Sequence, residues 1–334
     1  MRALGFVERE QASLHTLIAD VLQTSEIEGE RLDAAQVRSS LATRLGLDVA
    51  GLPVASRSVD GVVEMTLDAT LHAHAPLTRE RLFAWHAALF PSGRSGMRRI
   101  RVGRWRDDRG GPMQVVSGRM GRETVHFEAP PASTLDAEID AFLDWFEREP
   151  IDPVIHAGIA HLWFLTLHPF EDGNGRIARA IADLALTRPD ARDGTPAQRF
   201  YSLSAQLQVE RADYHAQLEQ VQRGGLDITT WLLWFITCLQ RAVEASEREL
   251  QRTLVRSRLW AKHAQLPLHP RQRKVLALLL DDRVDTLTSS KWAKLTKCSQ
   301  DTAGRDIAGL VQWGILAPGP GRGRASHYVL VDVP

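Results

Sequence analysis

Apolar residues recur at helical spacing along most of the first 250 residues. Residues 10–48 carry this pattern on both sides of Gly29 and predict two helices. Residues 78–90 begin at Thr78, a residue type that caps helices, and Pro91 follows them, so they predict a third helix. The same spacing predicts further helices over residues 135–146, 152–167, 176–187, 206–222 and 227–248.

Three stretches depart from the helical pattern. Residues 52–66 contain Pro, Ser and Gly and predict a loop or a small insertion. Residues 94–106 are rich in arginine and glycine, which fits either a solvated loop or hairpin, or a contact with a charged ligand. Residues 113–128 contain two β-prone segments around a glycine turn and predict a β-hairpin.

The pattern changes again after about residue 268. Residues 270–280, 288–295 and 300–313 predict three short helices, and residues 314–331 predict a strand, a Gly/Pro/Arg loop and a second strand. This order is typical of a winged helix-turn-helix. We therefore expect an N-terminal helical region over 1–75, a helical core over 76–250 and a winged-helix domain over 251–334.

Charge and composition narrow the functional classes. The formal net charge is zero, which argues against a protein that coats nucleic acid along its length. Residues 251–334 nevertheless hold fourteen Lys and Arg against six Asp and Glu, a local charge of +8 that suggests a separate partner for this segment. There is no long apolar run, no signal-peptide core, and no metal-ligand spacing around Cys238 and Cys298. We expect a cytoplasmic protein that does not interact with a membrane.

Residues 168–179, HPFEDGNGRIAR, connect two predicted helices. Gly173, Asn174 and Gly175 leave the backbone bare just before the second helix begins. The unpaired N–H groups and partial positive charge of a helix start favour phosphate oxygens. The segment therefore predicts a phosphate-binding loop.

Four side chains of the same segment supply the remaining chemistry. Arg176 and Arg179 lie three residues apart, hence on one helix face, and add fixed positive charge. Asp172 offers the hard oxygen ligand that Mg²⁺ bound to phosphates requires. His168 has a side chain suited to general-base catalysis near neutral pH.

This segment resembles the signature of the Fic family, H-P-F-x-D/E-G-N-G-R-x-x-R, at every defined position. The resemblance implies a mainly α, Fic-type helical bundle with a β-hairpin flap, followed by the winged helix-turn-helix. It also implies a protein adenylyltransferase that moves AMP from ATP onto a Ser, Thr or Tyr hydroxyl of a target protein, itself included, with pyrophosphate leaving. His168 would deprotonate the hydroxyl, Phe170 would anchor the loop, and Asp172 would hold Mg²⁺ between the α- and β-phosphates.

The same resemblance assigns the phosphate contacts. Gly173, Asn174 and Gly175 would line the anion hole. Arg176 would pair with the β-phosphate side, and Arg179 would reach the γ-phosphate.

Two further parts of the resemblance each have a plainer alternative. The hairpin over 113–128 would match the family's flap, where a target segment docks against the edge formed by Val115, Val116 and Ser117, but it also fits an ordinary buried hairpin. Tyr214 would border the adenosine, but it also fits a core position. His156 and His161 do not have the spacing of a helical zinc pair, and we expect them to be packing or surface residues.

Residues 24–29, TSEIEG, resemble the inhibitory pattern S/T-x-x-x-E-G/N found in many Fic proteins. Thr24, Glu28 and Gly29 fit its defined positions. Glu28 would pair with Arg179 and occupy the place of the γ-phosphate. In some relatives the same glutamate helps to remove AMP, and the sequence leaves open whether addition, removal or both take place. Without the resemblance, Glu28 would be an ordinary surface glutamate.

A second functional hypothesis concerns the basic C-terminal segment. Gln300, Thr302 and Arg305 near the start of its third helix, with Arg322 and Arg324 in the wing, could contact DNA. The alternative is a module that binds protein or pairs two subunits. The chain would then be a DNA-binding regulator that uses the Fic core as a nucleotide sensor. The target protein, a donor other than ATP, and the oligomeric state, a homodimer included, are left open.

Overall fold

The computed structural model describes residues 6–119, 122–191, 199–280, 287–319 and 327–331. The chain folds into two compact units, Met1–Ser246 and Glu247–Pro334, which we call unit 1 and unit 2. No helix in the described ranges is both long and apolar enough to cross a membrane.

Unit 1 is built mainly of helices, as the sequence predicts. Its helices are α1 (Phe6–Ile27), α2 (Ala34–Arg44), α3 (Arg57–Leu71), α4 (Arg79–Leu89), α5 (Leu135–Arg148), α6 (Pro153–Leu167), α7 (Asn174–Thr187), α8 (Leu203–Val209), α9 (Arg211–Arg223) and α10 (Thr229–Lys262), the last of which runs on into unit 2. Its strands form two antiparallel pairs, β1 (Arg94–Ser95) with β2 (Arg98–Arg99) and β3 (Gln114–Arg119) with β4 (Arg122–Glu128).

Helix α7 lies at the centre of unit 1. Thirteen of its fourteen residues are buried, Gly175 being the exception, and α1, α3, α4 and α6 all pack against it. A helix enclosed on this many sides has a fixed position, because any shift would open voids against several neighbours. The residues at its first turn are therefore held in place by the core itself.

The predicted loop over 52–66 is wrong from residue 57 onward, because α3 begins there. Ser56 caps this helix, its Oγ accepting a hydrogen bond from the Val59 N–H at 3.4 Å. Val59, Val62 and Val63 are buried at helical spacing. Gly61 is a packing residue, since a Cβ at this position would lie 1.8 Å from the carbonyl oxygen of Ala88 in α4.

Two predicted helix boundaries also change. The single helix expected over 206–222 is divided into α8 and α9 at Glu210, whose Oε1 accepts a hydrogen bond from Arg241 Nε at 2.6 Å. The helix expected over 227–248 continues to Lys262. The Thr78 cap is confirmed, its Oγ1 accepting from the Arg81 N–H at 3.2 Å.

The described residues of unit 2 form three further helices and one strand pair. These are α11 (Pro270–Leu280), α12 (Ser289–Thr296), α13 (Gln300–Gln312) and the antiparallel strands β5 (Leu316–Pro318) and β6 (Tyr328–Leu330). They enclose a separate apolar core that includes Trp292. On α13, Gln300 and Arg305 are exposed and Thr302 is half-buried, whereas Arg322 and Arg324 lie outside the described residues. The winged helix-turn-helix stays a prediction.

The close contact at Gly61 gives a direct test of the α3–α4 packing. We expect Gly61→Ala to lower the free energy of unfolding of unit 1 by about 2–3 kcal/mol or more, because the two helices would have to separate. Urea unfolding followed by circular dichroism measures this loss. Gly225→Ala is the matched control, since a Cβ there meets no atom within 4 Å, and an equal effect of both substitutions would contradict the packing role.

Candidate active site

The turn between α6 and α7 contains the sequence signature. At the end of α6, His168 adopts a left-handed backbone conformation with a φ of 47°, which is uncommon for a residue other than glycine. Gly173 precedes α7 with a φ of 81°. Because Gly173 has no side chain, α7 begins without a side-chain cap, and its first N–H groups remain available to an anion.

Asn174 fixes the shape of this turn from within. Its Oδ1 accepts a hydrogen bond from the Phe170 N–H at 3.0 Å, and its Nδ2 donates to the Phe170 carbonyl at 2.8 Å. The residue is 2% exposed. Its amide is therefore used inside the loop, and Asn174 can contribute to an anion hole only through its backbone.

Phe170 is fully buried, in the position that the resemblance assigns to it, and it stacks on His86, a residue that the sequence analysis did not identify. Their ring centroids lie 4.1 Å apart. His86 Nδ1 accepts from the Gly103 N–H at 3.1 Å, so Nε2 carries the proton and donates to the Asp172 carbonyl at 3.2 Å. Burial lowers the pKa of His86 to about 4. A neutral histidine thus connects α4 to the signature loop.

Arg106 is a second residue whose role was missed. The sequence predicted a solvated loop or a ligand contact for 94–106, and β1 and β2 do form an exposed hairpin. Arg106 itself is 3% exposed, and its Nε donates to the His168 carbonyl at 2.8 Å. Its Nη2 also donates to the Leu167 carbonyl at 3.4 Å. The Arg106 guanidinium thereby fixes the end of α6. It points into the core of unit 1 and is not exposed to solvent.

The His168 imidazole has a defined tautomer. Its Nδ1 lies 3.3 Å from the Leu165 carbonyl oxygen, and a carbonyl can only accept, so Nδ1 carries the proton. Burial lowers the pKa of His168 to about 4, although the same hydrogen bond acts in the opposite direction. At neutral pH the ring is therefore uncharged, and Nε2 has a free lone pair with which to accept a proton.

Glu28 lies against the start of α7. Its Oε1 is 2.6 Å from Arg179 Nη2, and a Cβ on Gly175 would lie only 2.1 Å from the same oxygen. Desolvation acts to raise the pKa of the Glu28 carboxyl, but the Arg179 guanidinium outweighs it and the pKa is lowered. An ionised carboxylate thus pairs with Arg179, as the resemblance implied, and it also occupies the space next to Gly175.

Thr24 and Gly29 position this carboxylate. Thr24 accepts two hydrogen bonds from Arg179, one at Oγ1 from Nε at 2.8 Å and one at its carbonyl from Nη2 at 3.0 Å. Gly29, with a φ of 83°, ends α1, its N–H donating to the Glu26 carbonyl while the Glu30 N–H donates to the Ser25 carbonyl. These two bonds form a Schellman motif, which needs a left-handed residue at this position.

Arg176 also has a carboxylate partner, which was not predicted. Its Nη1 lies 2.9 Å from Glu30 Oε2, and its guanidinium stacks over the Phe90 ring at 5.0 Å. The Arg176 side chain is 4% exposed. Both signature arginines are therefore buried, and both face the segment that follows α1.

Asp172 carries the carboxylate that was assigned to Mg²⁺. Its Oδ1 accepts from the Gly173 N–H at 2.6 Å, and its Oδ2 accepts a short hydrogen bond from Ser95 Oγ. Within the described ranges no three His, Cys, Asp or Glu side chains group together as a metal site. A lone carboxylate suits Mg²⁺ that takes its other ligands from phosphates and water, so the donor set fits a cation that arrives with a nucleotide.

Tyr214 does not border an open nucleotide site. The residue is 1% exposed, and its hydroxyl lies 2.8 Å from His161 Nε2. His161 Nδ1 donates to the Ala178 carbonyl at 3.1 Å, so Nε2 accepts the tyrosine proton. Burial raises the pKa of Tyr214 and lowers that of His161 to about 3. Tyr214 and His161 form a neutral, buried support next to α7, and His156 packs between Trp145 and Phe146.

The hairpin of β3 and β4 leaves part of its surface exposed. Val116 is 48% exposed and pairs with Val125 just after a register shift, whereas Val115 is half-buried. The Ser117 backbone pairs with Thr124. Arg223 of α9 holds β4 by donating to the carbonyl oxygens of Val125 and His126, both at 2.8 Å. The hairpin is thus attached through β4, and the exposed Val116 lies on β3.

Comparisons with known proteins find families, sequence relatives and solved structures that are similar to this chain. Residues 76–186 match the family described as Fic/DOC, and residues 1–47 match one described as Domain of unknown function (DUF4172). The chain is 29% identical over 138 residues to a protein adenylyltransferase Fic of Nematostella vectensis, covering 40% of this chain and 30% of the relative. A solved Fic family protein from Desulfovibrio desulfuricans G20 superimposes with a TM-score of 0.53 at 20% identity, covering 99% and 89% of the two chains.

Residues 76–186 of this chain are therefore a Fic domain. The Fic domain contains the complete signature turn and its two arginines. A Fic domain protein from Bacteroides thetaiotaomicron superimposes over 75% of this chain and 92% of its own, with a TM-score of 0.52 at 19% identity. At these identities the superpositions show a shared fold.

Two sequence relatives of the Fic domain carry different names. A protein named Uridine 5′-monophosphate transferase from Xanthomonas campestris is 31% identical over 124 residues, covering 34% of this chain and 22% of that protein. The protein adenylyltransferase Fic of Aedes aegypti is 25% identical over 240 residues, covering 70% and 42%. The chain thus matches less than half the length of these relatives.

The buried His161 predicts a pH-dependent stability. The pKa of His161 is about 3 in the folded chain, against 6.5 for a solvent-exposed histidine as in the unfolded chain. Between these two pH values only the unfolded chain binds the proton, so acid favours unfolding. The stability advantage of the natural protein over His161→Gln should therefore shrink by about 2 kcal/mol between pH 7 and pH 5. Urea unfolding at both pH values measures it. His15→Gln, at an exposed position, is the control, and an equal pH response of both variants would contradict the prediction.

Proposed function

We propose that this Fic protein is an adenylyltransferase that moves AMP from ATP to a hydroxyl side chain of a target protein, and that Glu28 inhibits it. The observation that carries the proposal is the signature turn itself. It places a neutral histidine with a free Nε2 and a carboxylate next to an uncapped helix start that bears two buried arginines. The name of the Nematostella relative supports the same activity.

Each group has a role in the transfer that follows from its chemistry. The first N–H groups of α7 and the two arginines bind the phosphates. His168 Nε2 takes the proton of the target hydroxyl, whose oxygen bonds to the α-phosphorus as the bond to pyrophosphate breaks. Asp172 would hold Mg²⁺, which neutralises charge on the phosphates when it is bound.

The inhibition follows from the position of Glu28. Its carboxylate pairs with Arg179 and fills the space above Gly175 that a phosphate needs. Removing one partner of a largely buried ion pair leaves an uncompensated charge, so an incoming phosphate has to replace the carboxylate at Arg179. The same carboxylate could orient water for AMP removal, which we include in the proposal as a second activity.

Two surfaces are proposed for partners. The exposed Val116 on β3 would align an extended target segment by strand addition. In unit 2, the exposed Gln300 and Arg305 of α13 and the local charge of +8 support a nucleic-acid contact of a winged helix.

Transfer of labelled nucleotide tests the activity and its inhibition. With labelled ATP and Mg²⁺, we expect Glu28→Gly to incorporate at least about tenfold more label than the natural protein. Adding His168→Ala to Glu28→Gly should reduce the rate by about 10²–10⁴, the usual contribution of a general base. Label is measured on the protein itself and on lysate proteins, followed by mass spectrometry for an added AMP.

Glu26→Gly is the matched control for the release of inhibition. It introduces a glycine two residues earlier, but the Glu26 carboxylate pairs with the exposed Arg31, at 3.6 Å, and with no group of α7 among the described residues. Equal label for Glu26→Gly and Glu28→Gly would contradict the inhibitory role. Transfer of label from UTP but not from ATP would mean that UTP is the donor and UMP the transferred group, in line with the name of the Xanthomonas relative. Specific binding to duplex DNA without any label transfer would favour the nucleotide-sensing regulator.

The role of Asp172 is tested by magnesium titration of the Glu28→Gly protein. Asp172→Asn should raise the Mg²⁺ concentration for half-maximal transfer by at least about tenfold, because it removes the carboxylate proposed to hold the ion. Ser95→Ala is the control, since it removes the hydrogen bond to Oδ2 and leaves the carboxylate in place. Equal magnesium curves for Asp172→Asn and Ser95→Ala would overturn the assignment.

A further inference from the structure

Two carboxylates that flank Gly29 contact the two signature arginines separately. Glu28 pairs with Arg179 at 2.6 Å, and Glu30 pairs with Arg176 at 2.9 Å. The second pair lies outside the sequence pattern that predicted the first. It also differs in exposure, because the Glu30 side chain is 53% exposed and that of Glu28 is 36% exposed.

The Schellman motif at Gly29 fixes the spacing of these carboxylates. The bonds from the Gly29 and Glu30 N–H groups back to α1 leave little freedom in the segment between the two glutamates. On α7, Arg176 and Arg179 lie three residues apart, hence on the same face. A rigid turn that carries two anions therefore matches a rigid helix that carries two cations.

The buried guanidinium of Arg176 needs an anion to balance its charge. Its guanidinium is fixed by stacking on Phe90, and its buried Nε has no hydrogen-bond partner. Among the described residues, Glu30 is the one acidic group that contacts it. A buried guanidinium without a counter-ion is unfavourable, so an anion that replaces Glu30 would be bound firmly.

An approach for such an anion exists beside Glu30. A cavity of about 350 Å³ is lined by Arg176, Glu30 and Phe90, and also by Arg57 and Arg94. Both of these additional arginines are exposed. Their positive charge favours an anionic ligand at the side of Arg176 that the carboxylate of Glu30 now neutralises.

We propose that Glu30 is a second inhibitory carboxylate, which occupies Arg176 as Glu28 occupies Arg179. Together they take the place of the β- and γ-phosphates of a triphosphate, the groups assigned to Arg176 and Arg179. This inference rests on the proposed function in so far as the site binds a nucleotide. A ligand with two or more phosphates has to displace Glu30, and one with three has to displace Glu28 as well, whereas a monophosphate can bind without displacing Glu30.

Nucleotide affinity tests this role without relying on catalysis. Dissociation constants of ATP, ADP and AMP are measured with Mg²⁺ by calorimetry for Glu30→Gln and for the control Glu26→Gln, a neighbouring carboxylate without a contact to α7 in the described chain. Glu30→Gln should bind ATP and ADP about two- to fivefold more tightly than the control, the range expected for a partly exposed ion pair. The affinity for AMP should stay the same, and the gain should recur in the Glu28→Gly background.

The outcomes separate this inference from the proposed activity. Equal ATP affinities for Glu30→Gln and Glu26→Gln, or an equal gain for AMP, would overturn the role of Glu30. A selective gain for ATP and ADP in a Glu28→Gly protein that transfers no label would support the role of Glu30 and overturn the activity. If the Glu28→Gly, Glu30→Gln protein binds no nucleotide although circular dichroism shows it folded, both are overturned.

Discussion

The structure depends on one close approach, that of the end of α1 to the start of α7. The approach is sterically allowed because Gly175 has no side chain, since a Cβ would lie 2.1 Å from Glu28 Oε1. The absence of a side chain at Gly175 also leaves the first N–H groups of α7 exposed, and such groups attract phosphate. The start of α7 therefore favours two kinds of anion, a carboxylate of the chain and a phosphate of a ligand, and only one of them can bind there at a time.

The distribution of charge in the site depends on three buried histidines. His86, His161 and His168 all have lowered pKa values, because burial penalises their charged forms. They are neutral at pH 7 and leave the positive charge to Arg176 and Arg179. This separation matters for the base that we propose, because an imidazole can accept a proton only in its neutral form.

The sequence predicts a feature well when the interacting residues are close together in the chain, and poorly when they are far apart. The turn over 168–179 follows from its own residues, since the positive-φ glycine, the helix start and the two arginines are local features. The loop predicted over 52–66 failed because Gly61 looks like a helix breaker in isolation and is required only by its contact with α4. Arg106 could not be found because it acts on His168, 62 positions away, and nothing in its neighbourhood indicates that contact.

The proposed inhibition requires the turn that carries Glu28 and Glu30 to move aside without loss of the fold. One turn before Thr24, the buried Asp20 accepts a hydrogen bond from Arg199 Nη2 at 2.6 Å, and Arg199 also binds Asp183 of α7 through a short ion pair. This cluster ties α1 to α7 independently of Glu28. Because this tie lies within the core, it can hold α1 against α7 when Glu28 and Glu30 are displaced, as the proposed inhibition requires. Thr24, Ser25 and Ile27 in the last turn of α1 are themselves buried, so under the proposed inhibition an incoming phosphate has to compete with this packing as well as with the carboxylates.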